Sequence, residues 1–197
     1  GSLRVLDILA NAAATIAEGE VLQLTAARNL GTTEETYLKV VRGKTAALFS
    51  AATEVGGVIA GMDEETVRAL YAYGDALGVA FQMVDDVLDC GGTSAIGKNI
   101  GDDFRERKLT LPVIKAVAKA DVDERAFWVR TIEKGQQNDG DLERALAILA
   151  RHGTVEAARQ EAISWVAKAK DEMAKLPEHP LRDMLIDLAD YVVERIN

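Results

Sequence analysis

Apolar residues recur along this chain at three- and four-residue intervals, the period of a helix buried on one face. The strict alternation of a half-buried strand does not stand out anywhere. The pattern predicts a long first helix, capped by Ser2 and running through Leu3, Val5 and Leu6 to about Thr25. Its small residues from Ala10 to Ala14 would let a neighbour approach closely. Thr33, followed by Glu34 and Glu35, opens a second long helix expected to reach Gly56 and Gly57. Asp63 caps a third, rich in Leu, Val and Tyr, which stops before Gly91 and Gly92; residues 91–107 then read as a loop of glycines and mixed charge. Thr110 and Pro112 start another helix, because proline is tolerated in a first turn. Shorter helices follow near 123–134, 141–151, 155–176 and 180–196, with Gly135 and Gly153 where C-caps belong. No repeat, low-complexity tract or linker interrupts the series, so residues 1–197 are expected to form a single all-α domain.

One helix breaks its own apolar pattern. In Phe81-Gln82-Met83-Val84-Asp85-Asp86-Val87-Leu88-Asp89, the polar residues Gln82, Asp85, Asp86 and Asp89 stand at i, i+3, i+4 and i+7, on one face. Like charges at this spacing repel, and an apolar setting raises the cost because a buried carboxylate needs a partner. Something positive is therefore expected against this face. Hard oxygens converging from one helix suit Mg²⁺, which keeps several waters and often bridges carboxylates to phosphates.

Composition narrows the partners. A net charge of −9 argues against a nucleic-acid surface or an anionic membrane, and an anionic substrate would need local lysine, arginine or metal to overcome that field. No apolar run is long enough to span a bilayer, so no stable membrane insertion is expected. The single cysteine, Cys90, rules out an internal disulfide and fits a reducing, cytoplasmic location.

The loop after the acidic helix brings Lys98, Arg105, Arg107 and Lys108 close in sequence to the three carboxylates. A metal-diphosphate clamp is one reading, with carboxylates on the metal and lysines neutralising the remaining phosphate charge. A solvated charged loop is the other. Within the second helix, Gly43 precedes Lys44 and Thr45 among Val40, Leu48 and Phe49. Gly43 would let the helix bend so that Lys44 and Thr45 face an anion; an exposed lysine on a surface stripe is the plainer alternative. Gln23, in an apolar run, could line a cavity, whereas Glu18 and Glu20 fit an exposed face. His152 and His179 show no metal-ligand spacing and read as loop residues, and Cys90 reads as a small core residue.

Four strings, in this order, carry a specific resemblance: Gly19 to Leu24, Tyr37 to Phe49, Phe81 to Asp89, and Gly97-Lys98 through Thr110-Leu111-Pro112. Together they are similar to the trans-prenyltransferases, the polyprenyl diphosphate synthase family, and look most like its long-chain bacterial members of octaprenyl to decaprenyl type. The resemblance covers about the first three-fifths of the chain; the last helices match only in helical character. It implies an isoprenoid-synthase-type all-α bundle around a deep cavity, usually a homodimer, that elongates an allylic diphosphate with isopentenyl diphosphate using Mg²⁺. Asp85, Asp86 and Asp89 match the family's second aspartate-rich motif, which holds Mg²⁺ against the allylic diphosphate. Lys44, Thr45, Gln82, Lys98 and Lys108 match positions that contact that diphosphate. On this reading Asp85, Lys44 and Lys98 serve catalysis most directly.

The chain also departs from the family. Only one Asp-Asp-x-x-Asp occurs, and the basic residues that precede the family's first such motif, where isopentenyl diphosphate binds, are missing. The chain is therefore expected to be the C-terminal part of a longer enzyme and inactive alone, with its product length unreadable. Cys90 stands where an aromatic residue often follows the motif. Two other functions compete with a synthase: a non-catalytic partner subunit, which need not keep a metal site, and a class I terpene cyclase, which usually carries an Asn/Ser/Glu pattern at the second motif. A purely structural bundle explains the helices but not the acidic face.

Overall fold

A computed structural model of the chain describes residues 1–91 and 100–196. The described residues are helical almost throughout, and no strand occurs among them. Helix α1 (Leu3–Ala26) starts where Ser2 Oγ accepts the Val5 amide, and α2 (Glu34–Val41) where Thr33 accepts that of Thr36. The α2 axis continues into α3 (Ala47–Ile59). Helix α4 (Glu64–Gly91) starts at Asp63, whose carboxylate accepts the Thr66 amide at 2.8 Å. These local oxygens satisfy first-turn N–H groups that have no partner inside the helix, which is why the sequence marks these starts well.

Helix α4 is the central element. It packs along α3 and α9 (Thr154–Met173), and also meets α10 (Pro180–Glu194) and α6 (Leu111–Lys119). Tyr73, Val79, Ala80, Met83 and Val84 on α4 are completely buried. The same apolar cluster continues through Leu111 of α6, Trp128 of α7 (Val122–Trp128), Ile148 of α8 (Asp141–His152) and Met173 of α9. Gly153, in the left-handed conformation, ends α8 as expected of a C-cap. Among the described residues, no helix is long and apolar enough to cross a membrane.

Two differences from the sequence pattern bear on the site; away from it, the helix expected near 123–134 passes into a π turn at Val129–Glu133, and His152, read as a loop residue, is the last residue of α8. The expected helix over 33–57 is not uniform: residues Arg42–Ala46 widen into a π turn between α2 and α3. The cause is a backbone-to-backbone crossing with α1. A Cβ added to Gly43 would sit 2.9 Å from Gly19 Cα, and one added to Gly19 only 2.5 Å from the Lys44 amide nitrogen. Second, the stretch read as a loop holds a short helix, α5 (Asp102–Arg105), folded onto the core through the buried Phe104. Four residues are too few for a periodic signal.

Candidate functional site

The C-terminal end of α1, helix α2 with the π turn, the acidic face of α4, and α5 with the residues after it line a cavity of ≈ 260 Å³. Its polar lining is Gln23 and Thr32, then Tyr37, Lys44 and Thr45, then Gln82, Asp85 and Asp86, and finally Asp103, Lys108 and Thr110. Its apolar lining is Ala26, Ala27, Val40, Val41 and Leu109. The two glycines at the α1 crossing bring the Lys44 backbone against α1, so the π turn carries Lys44 and Thr45 to the cavity wall. A π turn inside a helix often marks such a site.

The three carboxylates of α4 have different surroundings. Asp86 is buried; its Oδ2 accepts the Tyr37 hydroxyl at 2.7 Å and its Oδ1 the Gln82 amide at 3.0 Å. Thr45 Oγ1 in turn donates to Gln82 Oε1 at 2.9 Å, so four side chains from α2, the π turn and α4 form one row. Burial pushes Asp86 up to about 7, although the Tyr37 and Gln82 hydrogen bonds pull the other way. Burial also raises the Tyr37 hydroxyl, helped by the Asp86 charge. Asp89 is buried too, and its oxygens accept the amides of Asp102 at 3.0 Å and Asp103 at 3.3 Å. Burial, with the nearby Asp103 charge, lifts Asp89 to about 6. Asp85 lines the cavity itself.

The cations come from elsewhere in the chain. Lys44 Nζ donates to Gln23 Oε1 at 2.7 Å and lies 3.4 Å from Glu20 Oε1. Lys108 Nζ pairs with Asp103 at 2.9 Å and Glu106 at 2.7 Å. Burial alone would lower the Lys108 ammonium, but those two hydrogen bonds outweigh it and hold it above its ordinary value. The structure thus brings together seven of the residues singled out in the sequence, namely Gln23, Lys44, Thr45, Gln82, Asp85, Asp86 and Lys108, with Asp89 one helical turn beyond Asp85 and Asp86. Lys98 lies outside the described residues.

Tyr37 and Asp103 were not singled out for a role. Tyr37 left a readable signal, since Tyr37, Val41 and Lys44 stand at i, i+4 and i+7 and share a helix face. Asp103 left none, because its place at the cavity depends on how α5 folds back onto α4.

The donor set was weighed against Mg²⁺. Among the described residues, no three acidic, histidine or cysteine side chains converge as a ready-made metal cage. Mg²⁺ does not ask for one: it keeps most of its waters and takes one or two carboxylates plus phosphate oxygens. Asp85 and Asp103 beside the cavity, with the buried and poorly compensated Asp86 next to them, fit that demand.

Comparison with known proteins identifies the family. The family model described as Polyprenyl synthetase matches residues 1–149. The octaprenyl diphosphate synthase of Escherichia coli (strain K12) is 42% identical over 197 residues, covering 99% of this chain and 60% of that protein. The crystal structure of a decaprenyl diphosphate synthase from Rhodobacter capsulatus is 70% identical and superposes with a TM-score of 0.96, covering 100% of this chain and 61% of that one. A polyprenyl synthase from Caulobacter crescentus CB15, crystallised with calcium and isoprenyl diphosphate, is 44% identical with a TM-score of 0.93, over 98% of this chain and 59% of that one. The chain therefore spans about 60% of the length of the relatives it matches.

Proposed function

We infer the function from one premise: the chain belongs to the polyprenyl synthetase family. On that premise we propose that the cavity binds an allylic diphosphate, and that the protein carrying this chain extends it with isopentenyl diphosphate. The names of the relatives, octaprenyl and decaprenyl diphosphate synthase, support a long product. The Caulobacter relative, with calcium and isoprenyl diphosphate, supports a divalent cation acting beside a diphosphate.

The observation that carries the proposal is the convergence of Lys44, Thr45, Gln82, Asp85 and Lys108 on one cavity from three separated stretches of sequence. Lys44 and Lys108 would neutralise the departing diphosphate as its bond to carbon breaks, with Thr45 and Gln82 as hydrogen-bonding neighbours. The apolar wall of Ala26, Ala27, Val40, Val41 and Leu109 would keep water from the allylic cation until the isopentenyl double bond attacks it. Asp85 is the carboxylate we assign first to Mg²⁺, with Asp86 and Asp103, which line the same cavity, as further candidates. When bound, the metal would supply positive charge to the phosphate oxygens. The role that the resemblance implies for Lys98 remains part of the proposal. So does the homodimer, which the exposed Leu3, Leu6, Leu9, Val21 and Leu24 of α1 support, since such a row asks for cover by further protein. Sedimentation showing a monomer at all concentrations would remove it.

The test uses the protein that carries this chain. Asp85→Ala should lower turnover by roughly 10²–10³-fold, the scale of losing one preorganised electrostatic group, while circular dichroism and melting stay close to wild type. Lys44→Ala should chiefly raise the KM for the allylic diphosphate. Near-normal turnover in Asp85→Ala would sink the metal assignment, and an unchanged allylic KM would remove Lys44 from the diphosphate site.

A further inference from the structure

We propose that Asp89 is a positioning residue: it fastens the segment 101–108 to α4 and thereby sets where Asp103 and Lys108 stand at the cavity. The consequence for substrate rests on the function proposed above; the fastening itself does not.

Three observations carry the inference. Asp89 does not line the cavity that Asp85 and Asp86 line; it borders a separate pocket of ≈ 20 Å³ with Cys90, Phe104 and Trp128. Both of its carboxylate oxygens are in use, Oδ1 accepting the Asp102 amide at 3.0 Å and Oδ2 the Asp103 amide at 3.3 Å, while its backbone carbonyl accepts the Gly101 amide at 2.9 Å. Three successive residues are thus held by one residue of α4. From there Asp103 reaches the cavity and bonds Lys108 at 2.9 Å.

The segment is clasped from its other side as well. Gln137 Nε2 donates to the Phe104 carbonyl at 2.8 Å, and the Phe104 ring packs against Phe127 and Trp128. Gly101 has φ +82°, and a Cβ there would lie 2.3 Å from Leu142 Cδ1, so this corner fits only glycine. Asp89 is therefore the α4 half of a two-sided clasp. The third acid of the Asp-Asp-x-x-Asp motif is engaged by backbone amides, and the metal-facing work falls to its neighbours.

The experiment compares Asp89→Asn and Asp89→Ala with Asp85→Ala in the protein that carries this chain. Amide hydrogen exchange without metal or substrate comes first. Exchange at Asp102 and Asp103 should quicken on the order of 10-fold or more in Asp89→Ala, the loss of charge-assisted hydrogen bonds, and by less in Asp89→Asn, which keeps one acceptor oxygen, with Gly101, bonded to the backbone carbonyl, changing least. Steady-state kinetics follow. Both variants should raise the allylic diphosphate KM more than they lower kcat, and should shift the Mg²⁺ concentration for half-activation by much less than Asp85→Ala does, since Asp103 is displaced but Asp85 stays in place. Unaltered exchange would overturn the proposal. So would a kcat collapse with weakened Mg²⁺ activation like that of Asp85→Ala, since Asp89 would then be a ligand. If Asp89→Ala does not fold, Asp89→Asn carries both readouts. Quickened exchange alongside a fully active Asp85→Ala would uphold the clasp and sink the functional reading instead.

Discussion

Substituting Gly19 by alanine puts one methyl group where α1 and the π turn touch backbone to backbone. The added Cβ would stand 2.5 Å from the Lys44 nitrogen, 2.6 Å from the Gly43 carbonyl carbon and 2.9 Å from Gly43 Cα, where ordinary contact begins at 3.4 Å. Backbone cannot rotate out of the way as a side-chain tip can, so the two elements must part by about 1 Å. Overpacking of this kind costs about 1–3 kcal/mol, and the helix-propensity gain of alanine over glycine returns roughly 1 kcal/mol. A net loss of about 0–2 kcal/mol is therefore expected, against a gain at a site with room for the methyl group. Gly56, near the C-terminal end of α3 with nothing within 4 Å of its missing Cβ, is the matched control; Gly56→Ala should stabilise by about 0.5–1 kcal/mol. Urea unfolding of both variants measures the difference. A shift of Lys44 by that distance should also weaken diphosphate binding, since misplacements near 1 Å can cost on the order of 10²-fold in rate. If Gly19→Ala gained stability in parallel with Gly56→Ala, the close crossing and the reason given for the π turn would both be wrong.

Three further outcomes follow from other contacts. Tyr37→Phe leaves buried Asp86 Oδ2 without its hydroxyl donor, which should cost about 1–3 kcal/mol in denaturant unfolding; a change of only a few tenths would show that the bond contributes nothing net. Asp141, bonded by both terminal nitrogens of Arg130, is held down at about 2, so its contribution to stability is present above the ordinary carboxylate range and is lost as pH falls through about 2. The stability gap between wild type and Asp141→Asn should accordingly close on acidification from about pH 5 to about pH 2, and a pH-independent gap would contradict the pairing. Mg²⁺ and inorganic pyrophosphate together should raise the melting temperature by more than the sum of their separate effects, whereas strict additivity would mean that they do not share the cavity.

The features legible in the sequence were the local ones. Ser2, Thr33 and Asp63 cap helices because an N-cap is a bond over three residues, and Pro112 falls in the first turn of α6 because that turn needs no proline N–H. The acidic face was equally plain, since Gln82, Asp85, Asp86 and Asp89 repeat at helical spacing. What the spacing could not tell is that these acids part company. Asp86 turns to a tyrosine 49 residues earlier, and Asp89 to the amides of a four-residue helix with no periodic pattern. The reading of Gly43 as a bend was close to the observed π turn, but the cause lies 24 residues away in Gly19, and no local rule pairs two glycines on different helices. Tertiary contacts decided these points, as they do wherever a polar group is buried and must find its partner across the fold.

The coupling expected between cation and anion follows from how the cavity is charged before either arrives. Both of its lysines already have acidic neighbours, Lys44 beside Glu20 and Lys108 between Asp103 and Glu106. A diphosphate entering alone must draw these ammonium groups away from their acids and then meet the carboxylates that line the cavity, inside a chain of net charge −9. A divalent cation entering alone meets carboxylates that the lysines partly neutralise already. When both enter, the lysines turn to phosphate and the released carboxylate charge turns to the metal, so each ligand removes what the other would have to overcome. The sign of the coupling is therefore positive, and by linkage it must be the same measured from either ligand. The same argument explains why an acidic face is tolerated on the most deeply packed helix of the fold. Its apolar side, with Val79, Ala80, Met83 and Val84, forms the core, and the unfavourable charge on the opposite side is what gives the cavity its demand for a cation.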